Sequence, residues 1–392
     1  MSTQQLRTKM VEQMVAAGSL RSGPWLAAFT AVPRHLFLRR FFRQSGDLSG
    51  WEAVSDTDPG ALEMIYDGAT WVTQLDNDPH RWQNARGADK PTPGTPTSSS
   101  TAPGLMALML EALDVHDGHR VLEIGTGSGY NAALLSHRLG STLVTTVEVD
   151  PAVADSARAS LHAAGYTPTV AVADGSAGHP EGSPYDRLIA TCSASTVPPA
   201  WIDQVRPGGM ILTSLYRDLG GGPLVLLHVV GNGQAQGRFL PEYGGFMPLR
   251  LHPPADTGPL LDAALAGTTP PARPTSLGAD LLDSADFGMV AALRLPGVAS
   301  IGFAPDDSGP QRWLLAADGS WACLDETTLT VSQHGTRRLW DEIEDIHLQW
   351  TQLGEPSRDR LGVTVTATGE HRFWLDTPDG AWWSHPAETA TT

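Results

Sequence analysis

Apolar residues at Leu6, Met10, Met14 and Ala17 recur at helical spacing and are followed by Gly18, which predicts an amphipathic helix over 6–17 closed by a glycine C-cap. A second helical piece is predicted from Pro24 through Thr30. Between 51 and 94 Asp, Gly, Pro and Asn dominate, and the pattern predicts loop with one short strand near 70–74. Then the chain changes. Val121-Leu122-Glu123-Ile124 is an apolar run of strand length that enters Gly125-Thr126-Gly127-Ser128-Gly129, and 131–139 carries Ala and Leu on one helical face. Three further strand-like runs follow, 144–148 ending in Glu148, 169–173 ending in Asp174-Gly175, and 184–192. Helical stretches separate them, and a helix near 204 closes at Pro207-Gly208-Gly209 into the run 210–215, with another apolar run at 223–230.

Strands alternating with helices predict an α/β fold with a doubly wound, largely parallel sheet. Pro253, Pro254, Pro259, Pro270, Pro271 and Pro274 then interrupt the pattern and predict a linker or irregular crossover. Beyond it lie short β-type runs at 313–315, 321–324, 361–367, 372–375 and 382–383. Ala317-Asp318-Gly319-Ser320-Trp321 echoes Pro378-Asp379-Gly380-Ala381-Trp382, so two hairpins with one kind of turn are expected. Leu339, Ile343, Ile346 and Trp350 share one face of a helix that should pack on that sheet. The expected divisions are 1–95 (N-terminal helices and a substrate-side loop), 96–250 (core), 251–282 (Pro-rich linker) and 283–392, a mostly β (α+β) accessory domain. Its tryptophans either line a peptide-binding face or form a small aromatic core.

With 43 acidic against 26 basic residues, a formal net charge of −17 repels phosphate backbones and anionic lipid, so neither nucleic acid nor membrane is an expected partner. Only Cys192 and Cys323 occur, with no C-x-x-C pair and no His/Cys spacing for a metal. No apolar run approaches bilayer length and the N-terminus has no signal-like core, so a soluble, cytoplasmic protein without a metal is expected.

The candidate chemistry lies at the strand ends. Glycines let a ligand approach the backbone and the following helix offers free N–H groups. A dinucleotide fingerprint wants its third glycine where Tyr130 stands, which disfavours a nicotinamide or flavin enzyme. The compact G-x-G-x-G turn preceded by Glu123 resembles motif I of class I S-adenosylmethionine-dependent methyltransferases. That resemblance implies a Rossmann-like fold with S-adenosyl-L-methionine as cofactor. It assigns Glu148 to the ribose hydroxyls and Asp174, with Gly175, to the adenine end. Glu123, Gly125, Thr126, Gly127, Ser128, Gly129 and Thr191 complete the expected cofactor set.

A narrower resemblance rests on Ala31-Val32-Pro33-Arg34-His35-Leu36-Phe37, on Pro184-Tyr185-Asp186, on Val197-Pro198-Pro199-Ala200-Trp201 and on Arg206-Pro207-Gly208-Gly209. From about residue 6 to about 215 these are similar to the protein-L-isoaspartate O-methyltransferases. The resemblance implies carboxyl methylation, with Ser98, Ser99, Ser100 and Thr101 positioning the acceptor carboxylate. Thr101 falls where that family usually has its active-site serine, and the Ser98–Ser100 run is closer to peptide-modifying relatives. A carboxylate oxygen is already nucleophilic at neutral pH, so no general base is needed and positioning carries the catalysis. The family enzyme is shorter, and the C-terminal addition favours an acceptor Asp in a constrained ribosomal peptide, leading to aspartimide or isoaspartate. The alternatives are isoaspartyl repair of damaged protein and a decayed cofactor-binding protein. In either enzymatic reading the partner is a peptide or protein bearing Asp or isoAsp.

Overall fold

The computed structural model describes residues 1–215, 218–220, 222–250, 256–304 and 309–385. They fall into two compact units, Met1–Cys192 with Pro198–Thr213 and Leu226–Gly233, and Ser193–Val197 with Ser214–Val225 and Gln234–Thr392.

The first unit opens with helices α1 (Thr3–Ala16) and α2 (Gly23–Ala31). α1 is held by a capping box in which Ser2 and Gln5 bond each other's backbone N–H, and it buries Leu6, Met10, Val11 and Met14. The stretch expected to be loop is structured instead. β1 (Arg40–Gln44), β2 (Trp51–Ser55), β3 (Trp71–Leu75) and β4 (Pro96–Ser100) form an antiparallel sheet in the order β2-β1-β3-β4, with helices α3 (Ala61–Ile65) and α4 (Arg81–Arg86) between strands. The reason is economy of apolar residues. Each strand has five residues, the turns hold the Asp, Gly and Pro, and the small core is Phe42, Val72, Leu75 and Ala85 covered by Trp51 and Trp82. Trp82 donates Nε1 to the carbonyls of Phe41 and Val54, each at 3.2 Å, while Arg40 lies 4.7 Å over its ring.

Helix α5 (Pro103–Ala112) leads into the main sheet, built from β5 (Val121–Ile124), β6 (Val144–Glu148), β7 (Thr169–Val172), β8 (Tyr185–Ala194), β9 (Val205–Leu215) and β10 (Pro223–Gly231). Their order is β10-β9-β8-β5-β6-β7, and β8, β5, β6 and β7 are parallel. β5 and β6 are buried along their whole length, as strands covered on both faces must be. Helices α6 (Tyr130–Leu139), α7 (Pro151–Ala163) and α8 (Pro199–Gln204) provide the crossovers. The chain steps outward from β5 to β6 and β7, then returns to the other side of β5 as β8. That reversal is the switch point at which an open α/β sheet forms its ligand crevice.

In the second unit β11 (Gln234–Tyr243), β17 (Leu361–Val365), β18 (His371–Leu375) and β19 (Ala381–His385) pair antiparallel in the order β19-β18-β17-β11. The region expected to be a linker contains helix α9 (Thr257–Ala266), the two-residue strand β12 (Arg273–Pro274) and helix α10 (Ala279–Asp283); residues 251–255 lie outside the described set. Pro259 falls in the first turn of α9 and Pro274 on an edge strand, where a missing N–H costs little. After α11 (Phe287–Arg294) come β13 (Val298–Phe303), β14 (Gln311–Ala316), β15 (Trp321–Asp325) and β16 (Thr330–His334), which pair with β12 in the order β12-β16-β15-β14-β13. Helix α12 (Leu339–Gln352) packs Leu339, Trp340, Ile343 and Ile346 inward, whereas Trp350 turns toward Phe287, 5.4 Å between ring centres. Both Asp-Gly turns close hairpins, the second with a bulge at Phe373/Trp374. Trp313, Trp321, Trp340 and Trp374 are all buried, so these tryptophans are core rather than a binding face. No helix among the described residues is long and apolar enough to cross a membrane.

Candidate active site

The crevice at the ends of β5 and β6 is lined by the glycine turn. Gly125, Gly127 and Gly129 all have positive φ, 93°, 52° and 86°. Side chains there would also be crowded, most of all at Gly125. A Cβ on Gly125 would sit 2.9 Å from Thr191 Oγ1, and one on Gly127 would sit 3.3 Å from the Ser99 carbonyl oxygen. The N–H groups of Gly125 and Thr126 donate to the Val147 carbonyl at 2.9 and 3.2 Å, so the turn is tied to β6.

The expected cofactor residues divide into two groups. Glu148, at the end of β6, accepts from Gly127 N at 3.0 Å through Oε2 and from Asp150 N at 3.1 Å through Oε1. Each oxygen keeps a lone pair, and Glu148 forms no ion pair among the described residues, which suits a diol ligand. Asp174 is half-buried at the end of β7 and accepts from Ser176 N and Oγ at 2.9 and 2.7 Å; the Gly175 carbonyl accepts from Trp201 Nε1 at 2.8 Å. Ser128 and Gly127 are partly exposed in the turn.

Glu123, Thr126 and Thr191 instead hold the turn from behind. Glu123 is fully buried, and its oxygens accept from Asn131 Nδ2 at 2.7 Å and Thr146 Oγ1 at 2.6 Å. Burial pushes its carboxyl up to about 7 against the pull of those two bonds, and the charge of Glu148 adds to the rise. Thr126 Oγ1 meets Thr146 Oγ1 at 2.7 Å, and Thr191 Oγ1 donates to the carbonyls of Ile124 and Gly125 at 3.1 and 2.6 Å. Cys192 is no nucleophile, because burial, with Glu148 and Glu123 adding, raises its thiol to about 12.

Ser98 to Ser100 of the hydroxyl run lie on strand β4, paired with β3. Alternation therefore sorts it: Ser98 and Ser100 are buried, Thr97 and Ser99 are partly exposed, and Thr101 just beyond the strand is partly exposed as well. Ser98 Oγ accepts from Thr73 Oγ1 at 3.0 Å, whereas Ser100 Oγ is buried with no hydrogen-bond partner among the described residues. Arg34, from the Ala31–Phe37 run, is fully buried and ties the end of this segment down. It donates to Ile65 O at 2.5 Å, Ala69 O at 2.8 Å and Thr101 O at 3.3 Å, and burial lowers its guanidinium to about 10. Sequence reasoning missed Asn131, Thr146, Gln74 and the structural use of Arg34. Only Asp150 carried a legible signal, an Asp before Pro151 at a helix start.

A family model described as Protein-L-isoaspartate(D-aspartate) O-methyltransferase (PCMT) matches residues 79–219. Protein-L-isoaspartate O-methyltransferase 1 of Archaeoglobus fulgidus is 36% identical over 198 residues, 48% of this chain and 89% of that relative. The chain belongs to the protein-L-isoaspartate O-methyltransferase family. Its core is that of an S-adenosylmethionine-dependent methyltransferase. Members from Methanosarcina mazei and Ignicoccus hospitalis are each 40% identical, over 137 and 134 residues, and the chain spans only 56% and 64% of their lengths. A solved structure described as a protein-L-isoaspartate O-methyltransferase covers 95% of this chain and 100% of its own at a TM-score of 0.52 and 22% identity, which shows a shared fold. In this family member the residues fit S-adenosylmethionine: a turn that a Cβ would obstruct, and Glu148 with lone pairs open at the strand end.

Proposed function

We propose that this protein methylates the carboxylate of an aspartyl-derived residue in a protein or peptide, and that an isoaspartyl residue of damaged protein is the acceptor. The observation that carries the proposal is the approach of β4 to the glycine turn, 3.3 Å from the Ser99 carbonyl to the position a Cβ on Gly127 would take. It brings acceptor-side hydroxyls against the cofactor's cradle. S-adenosylmethionine, when bound, supplies an electrophilic methyl group. Glu148, Asp174 and the Gly127–Ser128 backbone would hold it. Ser99 and Thr101, the partly exposed hydroxyls, would orient one oxygen of the acceptor carboxylate so that the other faces the methyl group, and Arg34 keeps Thr101 in place. No side chain needs to remove a proton, in keeping with a Glu123 that is buried behind the turn and a Cys192 thiol that burial raises to about 12.

The second reading, an ordinary Asp of a constrained ribosomal peptide carried on to aspartimide or isoaspartate, is favoured by the Ser98–Ser100 run. The C-terminal addition does not favour it, because a fold of comparable extent exists and Trp313, Trp321, Trp340 and Trp374 of the second unit are buried. Full-length protein given a short isoaspartyl peptide and a cyclic Asp peptide, with methyl gain followed by mass spectrometry, separates the two. Turnover of the isoaspartyl peptide alone supports repair. Turnover of the cyclic peptide alone overturns it, and turnover of neither, with S-adenosylhomocysteine bound, leaves a binding protein.

A further inference from the structure

A continuous line of hydrogen bonds runs from the hydroxyl strand to the cofactor turn, and it passes through one side chain on β3. Thr97 Oγ1 donates to Gln74 Oε1 at 2.9 Å, and Gln74 Nε2 donates to Asp150 Oδ2 at 2.8 Å. Asp150 Oδ1 caps α7 by accepting from Ala152 and Val153 N at 2.9 and 3.3 Å. The Asp150 N–H donates to Glu148 at 3.1 Å, and the other Glu148 oxygen accepts from Gly127 at 3.0 Å. Gln74 is buried, 6% exposed, so the amide exchanges these partners for others only at the cost of a buried unsatisfied group. Its two ends are chemically distinct: the carbonyl oxygen reads the acceptor strand and the amide reads the helix cap beside the cofactor carboxylate. Neither the glycine turn nor the hydroxyl run contains Gln74, and a residue of another length or an apolar one would break both bonds.

We infer that Gln74 is a positioning residue that couples the cofactor carboxylate to the acceptor-side sheet, so that filling the cofactor site orders β3 and β4 for the acceptor. The inference rests on the assignment of Glu148 to the cofactor. Ordering by one ligand lowers the entropic cost of the next, and the coupling is reciprocal.

The test uses the full chain, S-adenosylhomocysteine and amide hydrogen exchange. In the unaltered protein saturating S-adenosylhomocysteine should slow exchange at residues 71–75, the strand that carries Gln74, by about tenfold. In Gln74→Leu that slowing should vanish while affinity measured by calorimetry stays within about threefold, because the direct ligands remain. A merely structural loss would raise exchange with and without ligand alike and leave the ratio unchanged, which overturns the inference. So does the absence of slowing in the unaltered protein. Thr97→Val cuts the line at its other end and serves if Gln74→Leu does not fold: loss of the slowing supports the coupling, and retention overturns it. Failure to methylate any aspartyl or isoaspartyl peptide would sink the proposed function while these exchange ratios still decide the role of Gln74.

Discussion

Carboxylates at the ends of the parallel strands are used differently from those of the second unit. In the second unit Asp325 accepts from Thr327 and Thr328 N, Asp283 pairs with Arg312, Glu342 with Arg337, and Arg273 sits between Asp341 and Glu344. Turns and cations of the same unit occupy them. The first unit pairs carboxylates too, as Asp58 with Arg86, but at the strand ends Glu123 and Glu148 form no ion pair among the described residues; they bond hydroxyl, amide and backbone N–H groups around the glycine turn. Strand direction explains the contrast. Antiparallel neighbours join by short turns whose Asp residues cap local N–H groups, while parallel strands all end on one side and bring several uncapped ends to one crevice. Chemistry concentrates where backbone and carboxylate are left for a ligand.

The comparison is broken most strongly from the apolar side. Trp340 is fully buried under the five-stranded sheet, so Trp340→Ala should destabilise the protein by about 3–5 kcal/mol. Thermal melting would register it, and S-adenosylhomocysteine affinity measured well below the transition should not change. A drop in that affinity would show that the second unit supports the cofactor site.

Glu123 gives the next effect. Its carboxyl is raised to about 7 in the folded chain and lies in the ordinary range when unfolded, so between those values the folded chain holds the extra proton. Stability is therefore full below the ordinary carboxylate range and falls as pH rises through about 7, by roughly 3 kcal/mol at most. Glu123→Gln should flatten that fall in denaturant melts taken from pH 5 to pH 8 (about the span of the shift). An unchanged slope would mean that the carboxylate is ionised throughout.

Glu148→Ala should weaken S-adenosylhomocysteine by about 1.5–3 kcal/mol, the usual range for charged hydrogen bonds. Glu342→Ala, which removes an ion-paired carboxylate of the second unit, should leave calorimetric affinity untouched. Equal effects would erase the distinction between the two units.

How far the sequence reveals this depends on the kind of element. The glycine turn and the ends of β6 and β7 are legible because backbone geometry demands particular residues there, glycine at positive φ and a carboxylate at a strand end. Of the sheet of β1 to β4 only the strand near 70–74, β3, is legible; the other five-residue strands fall below any periodic window and the core is a few aromatics scattered over the 40–100 stretch. The hydrogen bonds of Glu123, Thr126 and Thr191 to the back of the turn carry no sequence signal, because a motif records which residues gather at a turn and not which side of it they face. Gln74 carries no signal at all, being one amide whose meaning comes from partners 23 and 76 positions away.

The smallest effect is the one that sharpens the hydroxyl strand. The side chains of Ser98 to Thr101 are chemically near equivalent, so their burial decides between them: Ser99 and Thr101 are partly exposed, and Ser100 is buried without a hydrogen-bond partner among the described residues. If the exposed pair orients the acceptor, Ser99→Ala or Thr101→Ala should each lower kcat/KM by about tenfold, near 1.4 kcal/mol, with S-adenosylhomocysteine affinity kept. Ser100→Ala removes a buried hydroxyl that bonds nothing, so it should leave kcat/KM within about twofold and stability equal or slightly higher. Steady-state rates on an isoaspartyl peptide, beside calorimetry on the same preparations, measure both. A large loss in Ser100→Ala with Ser99→Ala unaffected would reverse the facing of the strand, and equal losses in all three would return the run to a structural part in holding β4 against β3.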